Sequence, residues 1–372
     1  MVGSGGCNCI ADVGGNCTVN TENSNTAIND VHGGNLEAAA SDYGVPLDQW
    51  LDLSTGIAPW CYPELSVPNQ VWQRLPHGDA ELLRAAADYY SCPETHIVSL
   101  SGSQQAIATI PRLFDKPCRV AVPELGYFEH RKAWQAAGHQ LVEYKDAELT
   151  ALVAEGQVDA VVAINPNNPT GFQWRANDLL DLREQLHRRG GLLLVDEAFA
   201  DSNPQNSLAG CCPLPGLLVL RSIGKFFGLA GLRLGFALGD DNWSQCLRQA
   251  LGCWHVNGPA QWIGARLLSD SDWQLQQRSR IEASAELLFE VLQNCFGDRA
   301  EVVSTQLFVR VQCDAELGES VFERLAQSGI LIRRFGLPTK RYCLRFGLPA
   351  DDVEQQRLQS VLKEIIEDDN HA

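Results

Sequence analysis

The sequence predicts an α/β protein whose larger part is a mostly parallel sheet with helices on both faces. Three observations carry this expectation. Short, almost wholly apolar runs alternate with longer amphipathic segments from about residue 97 to residue 238, and such runs are strands buried on both faces. Polar turns rich in Gly, Ser, Asn and Pro follow these runs, at the strand ends where sheets of this kind bind ligands. The chain has 372 residues, 45% of them hydrophobic, enough for more than one domain with its own core.

Residues 1–30 are rich in Gly, Ser, Asn and Thr and have no periodicity. They lack a basic stretch followed by a long apolar one, so they are expected to be a flexible extension and not a signal peptide. His32-Gly33-Gly34-Asn35 then leads into Leu36-Glu37-Ala38-Ala39-Ala40. The glycines suit a turn and Asn35 a helix cap. The same NH groups and amide also suit an anion site, and both readings stay open. Leu51 to Ser54 reads as a short strand entering Thr55-Gly56-Ile57, and Asp79 to Tyr90 as a helix that stops before Pro93.

The alternating region begins with a strand at Ile97–Leu100. Ser101-Gly102-Ser103-Gln104 then turns into a helix. Its NH groups and hydroxyls suit a phosphate ester, although any strand-to-helix turn can look like this. Strands follow at Arg119–Val122, Val158–Ile164, Gly191–Val195, Leu217–Arg221 and Leu234–Leu238, with helices at Glu129–Ala137 and Ala176–Arg189. Asn165-Pro166-Asn167-Asn168-Pro169-Thr170-Gly171 is a rigid turn able to aim an amide into a site. Asp196-Glu197 ends an apolar strand, where a buried acid needs a cation such as a protonated ring nitrogen. Lys225 sits on a glycine-flanked turn beside Phe226 and Phe227. Taken singly it reads as a surface lysine. Buried, it would have a depressed pKa and could form a Schiff base, with Ser222 and Arg233 as phosphate ligands.

The balance of 29 Lys and Arg against 46 Asp and Glu gives a net charge of −17. That field opposes nucleic acid and anionic membranes as partners but leaves room for a small anion held by local arginines. No run is long enough to span a bilayer. The thirteen cysteines have neither C-x-x-C nor zinc-finger spacing. They read as buried free thiols of a reducing cytosol, a metal on Cys7, Cys9 and Cys17 being the remote alternative, and no metal is expected.

The ordered set Asn165–Gly171, Ser222-x-x-Lys225 and Gly231-Leu232-Arg233 resembles the fold-type I pyridoxal-phosphate enzymes, in the class containing histidinol-phosphate aminotransferase. The resemblance runs from about Val31 to Glu367. His32-Gly33-Gly34-Asn35, Leu53-Ser54-Thr55-Gly56-Ile57 and the stretch from Ser222 to Arg233 look most like its threonine-phosphate decarboxylase branch, in cobalamin biosynthesis. The resemblance implies a large domain over 60–255 and a small one over 256–372 joined by residues 31–59. It implies a homodimer, a cytoplasmic location and pyridoxal 5'-phosphate as cofactor.

It also implies residue roles. Lys225 would hold the cofactor, Asp196 would pair with its ring nitrogen, and Asn168 would donate to its phenolic oxygen. Gly102, Ser103, Gln104, Ser222 and Arg233 would surround its phosphate. A ring past Pro123 would stack on it, with His130 preferred by the Glu-His pattern and Tyr127 next. Arg345 would clamp a substrate carboxylate. Arg333, Arg334, His32, Gly33, Gly34 and Asn35 would take a substrate phosphate. Two positions depart from the pattern. Phe199 replaces a tyrosine that usually bonds the cofactor, and Arg74-Leu75-Pro76 replaces an Arg-Tyr-Pro that reaches across the dimer. The expected reaction is decarboxylation of L-threonine O-3-phosphate to (R)-1-amino-2-propanol O-2-phosphate. The alternative is an aminotransferase acting on histidinol phosphate or a related amino acid.

Overall fold

Apolar runs become strands here, and the strands sort into three sheets. The structure, a computed structural model, describes residues 32–76, 78–337 and 340–369. The expected extension over 1–30 lies outside these residues, as do Cys7, Cys9 and Cys17. In chain order the strands are β1 (Leu51–Asp52), β2 (Ile97–Leu100), β3 (Arg119–Pro123), β4 (Gln140–Tyr144), β5 (Ala160–Ile164), β6 (Leu192–Asp196), β7 (Leu217–Ser222) and β8 (Gly235–Gly239). They continue with β9 (Glu301–Ser304), β10 (Phe308–Asp314), β11 (Ile330–Leu331), β12 (Arg333–Leu337) and β13 (Arg341–Gly347).

The largest sheet has seven strands in the order β2-β8-β7-β6-β5-β3-β4. Pairs β4–β3–β5–β6–β7 are parallel, while β8 runs antiparallel to both its neighbours. Every residue of β5 and β6 is buried. Their alternate side chains enter two separate cores. Val161, Ala163, Leu193 and Val195 pack with Leu179, Leu182 and Leu186 of the helix Ala176–His187. Ala160, Val162, Leu192 and Leu194 pack with Trp134 and Leu247 on the other side. The expectation of a sheet covered on both faces holds for this reason. β4 was not anticipated, because this edge strand buries only Tyr144 and carries no apolar run.

The second sheet, β12-β13-β10-β9, is antiparallel throughout. One face buries Val309, Val311, Leu344 and Phe346 beside the helices Ser271–Phe296, Ala315–Gln327 and Asp352–Asp369. Because side chains alternate along a strand, the other face carries Arg333, Arg345 and Arg310. These three are aligned in one cross-strand row by the register. The third sheet ties the beginning of the described chain to its end. β1 pairs in parallel with β11, and Leu53 bonds both Leu331 O and Gly347 N.

All ten described cysteines are free thiols. Cys92, Cys212, Cys313 and Cys343 are buried, but Cys61 and Cys253 are exposed, so uniform burial does not hold. Burial pushes the Cys118 thiol up to about 11 and Cys343 up to about 12, which makes both poor nucleophiles at neutral pH. Among the described residues no helix is long and apolar enough to cross a membrane.

Candidate active site

A cavity of about 230 Å³ opens where β5, β6 and β7 end, roofed by Arg333 and Arg345 of the second sheet. Of the residues expected in a site, it is lined by Lys225, Asp196, Asn168, Ser103, Gln104, Ser222, Arg233, His32, Gly33, Arg333 and Arg345. Gly102, Gly34, Asn35, His130 and Arg334 are not on its wall, each for a reason visible in the backbone.

Asp196 ends β6, the central strand, and is 3% exposed. Its Oδ1 accepts from the Ala198 N–H at 3.0 Å, and its Oδ2 lies 2.8 Å from His130 Nε2. His130 is itself buried, with Nδ1 free of any partner among the described residues. It supports the acid from behind and has no face toward the cavity, which corrects the expectation that it stacks there. The helix Phe128–Ala136 starts one residue after Tyr127. Tyr127 therefore stays on the cavity wall, while His130 turns under the sheet toward Asp196. The Tyr127 hydroxyl donates to Gln104 Oε1 at 3.0 Å, and Gln104 Nε2 donates to Glu129 at 2.9 Å.

Lys225 follows β7. No acid among the described residues pairs with its amine, whose nearest described ring is Phe199, with Nζ 5.5 Å from the centroid. Burial pushes its pKa down to about 8, helped by the Arg345 and Arg233 charges and opposed by Asp196. The expected depression is present, and with it a testable consequence. Below about pH 8 the amine is protonated and inert toward aldehydes; above it the amine is neutral and reactive. Condensation with an aldehyde is therefore expected to accelerate about tenfold per pH unit up to about 8 and then level off. An ordinary lysine would keep accelerating toward 10.5. Stopped-flow absorbance of the apoprotein against pH checks this.

Gly102 and Arg233 explain each other. Gly102 has φ +79°, and a Cβ there would lie 2.6 Å from Arg233 Nη2. Arg233 itself occupies the left-handed region at φ 53°, which holds its guanidinium over the turn beside Ser103 and Ser222. Gly102 thus makes room for a cationic cradle instead of lining it. The cradle is open on the cavity side and matches a phosphate in charge and donors.

The roof is unusual electrostatically. Arg345 Nη1 donates to Asn168 Oδ1 at 2.6 Å, Nη2 donates to the Ser54 carbonyl, and Nε has no partner among the described residues. Arg333, 8% exposed, makes no ion pair among the described residues and stacks over Phe335 at 4.8 Å. Burial pushes Arg333 down to about 10; burial and the Arg333 charge push Arg345 down to about 9. Both stay charged at neutral pH, side by side and with no ion-pair partner among the described residues. Arg334 has the opposite environment. One residue along β12, it faces the helix Ala315–Gln327 and pairs with Glu319 at 2.5 Å, so it is removed from the phosphate-binding set. Arg334 and Asn35 line a neighbouring cavity instead, and Asn35 caps its helix by accepting from Ala38 N.

Sequence reasoning missed the support beneath the site. Arg221, one residue before Ser222, pairs with Glu197 at 2.5 Å and with Asp201, all fully buried. Glu197 also accepts from Ser207 Oγ at 2.5 Å and Leu208 N at 2.7 Å. The pair ties β6 to β7 directly under Asp196 and Ser222. The available signal was an acid following Asp196 and an arginine preceding Ser222, each pointing away from the cavity by strand alternation.

The family model for aminotransferase class I and II matches residues 74–365. A threonine-phosphate decarboxylase of Pseudomonas aeruginosa is 45% identical, covering 89% of this chain and 96% of that one. A threonine-phosphate decarboxylase of Sinorhizobium sp is 37% identical, covering 89% and 97%. Among solved structures, a histidinol-phosphate aminotransferase from Sinorhizobium meliloti in complex with pyridoxal-5'-phosphate superimposes with a TM-score of 0.76. It is 24% identical, with 92% of this chain and 96% of that one covered, and shows the shared fold.

Proposed function

This chain belongs to the class I and II aminotransferase family, and we propose that it decarboxylates L-threonine O-3-phosphate to (R)-1-amino-2-propanol O-2-phosphate, using pyridoxal 5'-phosphate. The observation that carries this reading is the pair Arg333 and Arg345. Two buried guanidiniums directly opposite each other, with no acid between them, are costly unless an anion bridges them. A short substrate with a carboxylate on one carbon and a phosphate on the next supplies two such anions. The relatives named threonine-phosphate decarboxylase support the same choice.

The residues fit the cofactor. A buried amine at Lys225 with no ion-pair partner among the described residues, an acid at Asp196 and the open cradle at Arg233 match an aldehyde, a ring nitrogen and a phosphate respectively. Tyr127, on the cavity wall, takes the stacking role first assigned to His130. When bound, pyridoxal phosphate supplies a ring that draws off the electron pair left as CO2 departs. The chain does the rest. Arg345 holds the carboxylate through its paired N–H groups, and Asn168 fixes that guanidinium. Arg333 and His32 hold the phosphate, which stops rotation about the N–Cα bond and leaves the carboxylate as the group aligned for loss. Lys225, protonated at neutral pH when its amine is free, would be the acid that gives Cα a proton in place of the departed CO2. Phe199 offers no hydroxyl to the cofactor, so Asn168 is its one amide donor on this edge.

We further assign a homodimer, with exposed Trp72, Leu75 and Trp254 on the surface that meets the second copy, the domain bounds 60–255 and 256–372, a cytoplasmic location and a place in cobalamin biosynthesis. The test of function is CO2 release from threonine phosphate by purified protein without any 2-oxo acid. Arg333→Gln is expected to lower kcat/KM for threonine phosphate on the order of 100-fold while changing plain threonine far less. Brisk amino transfer from histidinol phosphate to 2-oxoglutarate, with no CO2 from threonine phosphate, would replace this reading with the aminotransferase one.

A further inference from the structure

We propose that Ser54 is a positioning residue that couples the two substrate anchors, the His32-Gly33 loop on the phosphate side and Arg345 on the carboxylate side. The inference rests on the reading above. Ser54 is 1% exposed and lies between the two anchors without lining the cavity. Its carbonyl accepts from Arg345 Nη2. Its hydroxyl donates to Asp52 Oδ1 at 2.6 Å, and its N–H donates to the same oxygen at 2.9 Å. A hydroxyl has one proton. With that proton committed to Asp52, the remaining lone pairs face the loop and accept from Gly34 N at 2.7 Å. Asp52 is itself fixed on β1, in register with Leu331, two residues before Arg333.

The loop is built to sit on this residue. A Cβ at Gly33 would lie 2.5 Å from the Ser54 carbonyl oxygen, so only glycine allows the approach. Gly34 has φ +85°, which places its N–H toward the hydroxyl. One serine thus holds the loop by its side chain and the arginine by its backbone. Any shift of the Ser54 peptide moves both anchors together. Anchors that move as a unit keep their spacing, and the spacing matches the short span between the two anions of the substrate.

The proposal is tested by a double-mutant cycle in the holoenzyme. Ser54→Ala leaves the Gly34 N–H without an acceptor and is expected to lower kcat/KM for threonine phosphate roughly tenfold, through KM. The ratio of kcat/KM for threonine phosphate to that for plain threonine should fall with it. Ser54→Ala combined with His32→Ala should be no worse than His32→Ala alone, because both act on one loop. Ser54→Thr, which keeps the hydroxyl, should restore the preference. Should Ser54→Ala fail to fold, Asp52→Ala removes the proton acceptor and carries the same expectation. Additive losses, or equal losses for both substrates, would overturn the coupling. Absence of CO2 from the wild type would overturn the decarboxylase reading alone. The same cycle, read as the dissociation constant for threonine phosphate from the cofactor's absorbance, then still decides the role of Ser54.

Discussion

Lys225→Ala is expected to abolish turnover, by roughly 10⁴-fold or more, and to leave the fold intact. The activity follows from position: this amine alone stands at the end of β7 facing Asp196, the Arg233 cradle and the arginine roof. The survival of the fold follows from burial. The shift of the Lys225 pKa from 10.5 to about 8 means that its charged form costs about 3 kcal/mol in the folded protein. Alanine removes that cost along with the amine. Borohydride reduction of the wild type followed by peptide mapping should place the cofactor on Lys225, and a label on any other lysine would end the assignment. Circular dichroism of the variant checks that the loss is chemical.

Asp196→Asn is expected to lower turnover on the order of 10³-fold with a much smaller loss of cofactor affinity. The amide oxygen can still accept from Ala198 N, and the amide nitrogen, in the place of Oδ2, can donate to His130 Nε2 in the tautomer that leaves this nitrogen unprotonated, so the side chain keeps its place. Only the negative charge opposite the ring nitrogen is lost, and with it the ring's capacity to take up electrons. Cofactor affinity depends more on the cradle at Ser103, Ser222 and Arg233, which this change does not touch. Single-turnover rates and fluorescence titration of the apoprotein separate the two quantities. Near-normal turnover would make Asp196 a structural acid.

The parts of this molecule that were legible in its sequence are those where one physical effect dominates. β5 and β6 are apolar on both faces, so their runs are continuous, and whatever polar residue ends them must serve a site. Asp196 and the turn that carries Asn168 stand out that way, whereas Lys225 by itself reads as a surface lysine and is singled out only by the ordered set of motifs around it. The parts that were not legible depend on half-turns and frames. Tyr127 and His130 lie three residues apart at a helix start, and only the starting residue of that helix decides which of them meets the cavity. Arg333 and Arg334 are adjacent and chemically equal, and only the pleat of β12 separates them. The reversed direction of β8 leaves no trace in an apolar run, since a strand reads the same in either sense. Ser54 belongs to a recognisable motif, but nothing in spacing reveals that its one proton is already committed.

The two adjacent arginines of β12 also limit how this protein can change length over time. Arg333 serves the cavity and Arg334 answers Glu319 on the helix behind. A loop normally tolerates gain or loss of a single residue. Between Gly329 and Arg333 such a change shifts the pleat by one and turns every side chain of the strand to the other face. Arg334 would then enter the cavity, so the site would keep a guanidinium, but Glu319 would lose its partner and Phe335 would leave the wall. Lineages descending from this sequence should therefore vary this stretch by substitution and accept insertions or deletions there only in pairs.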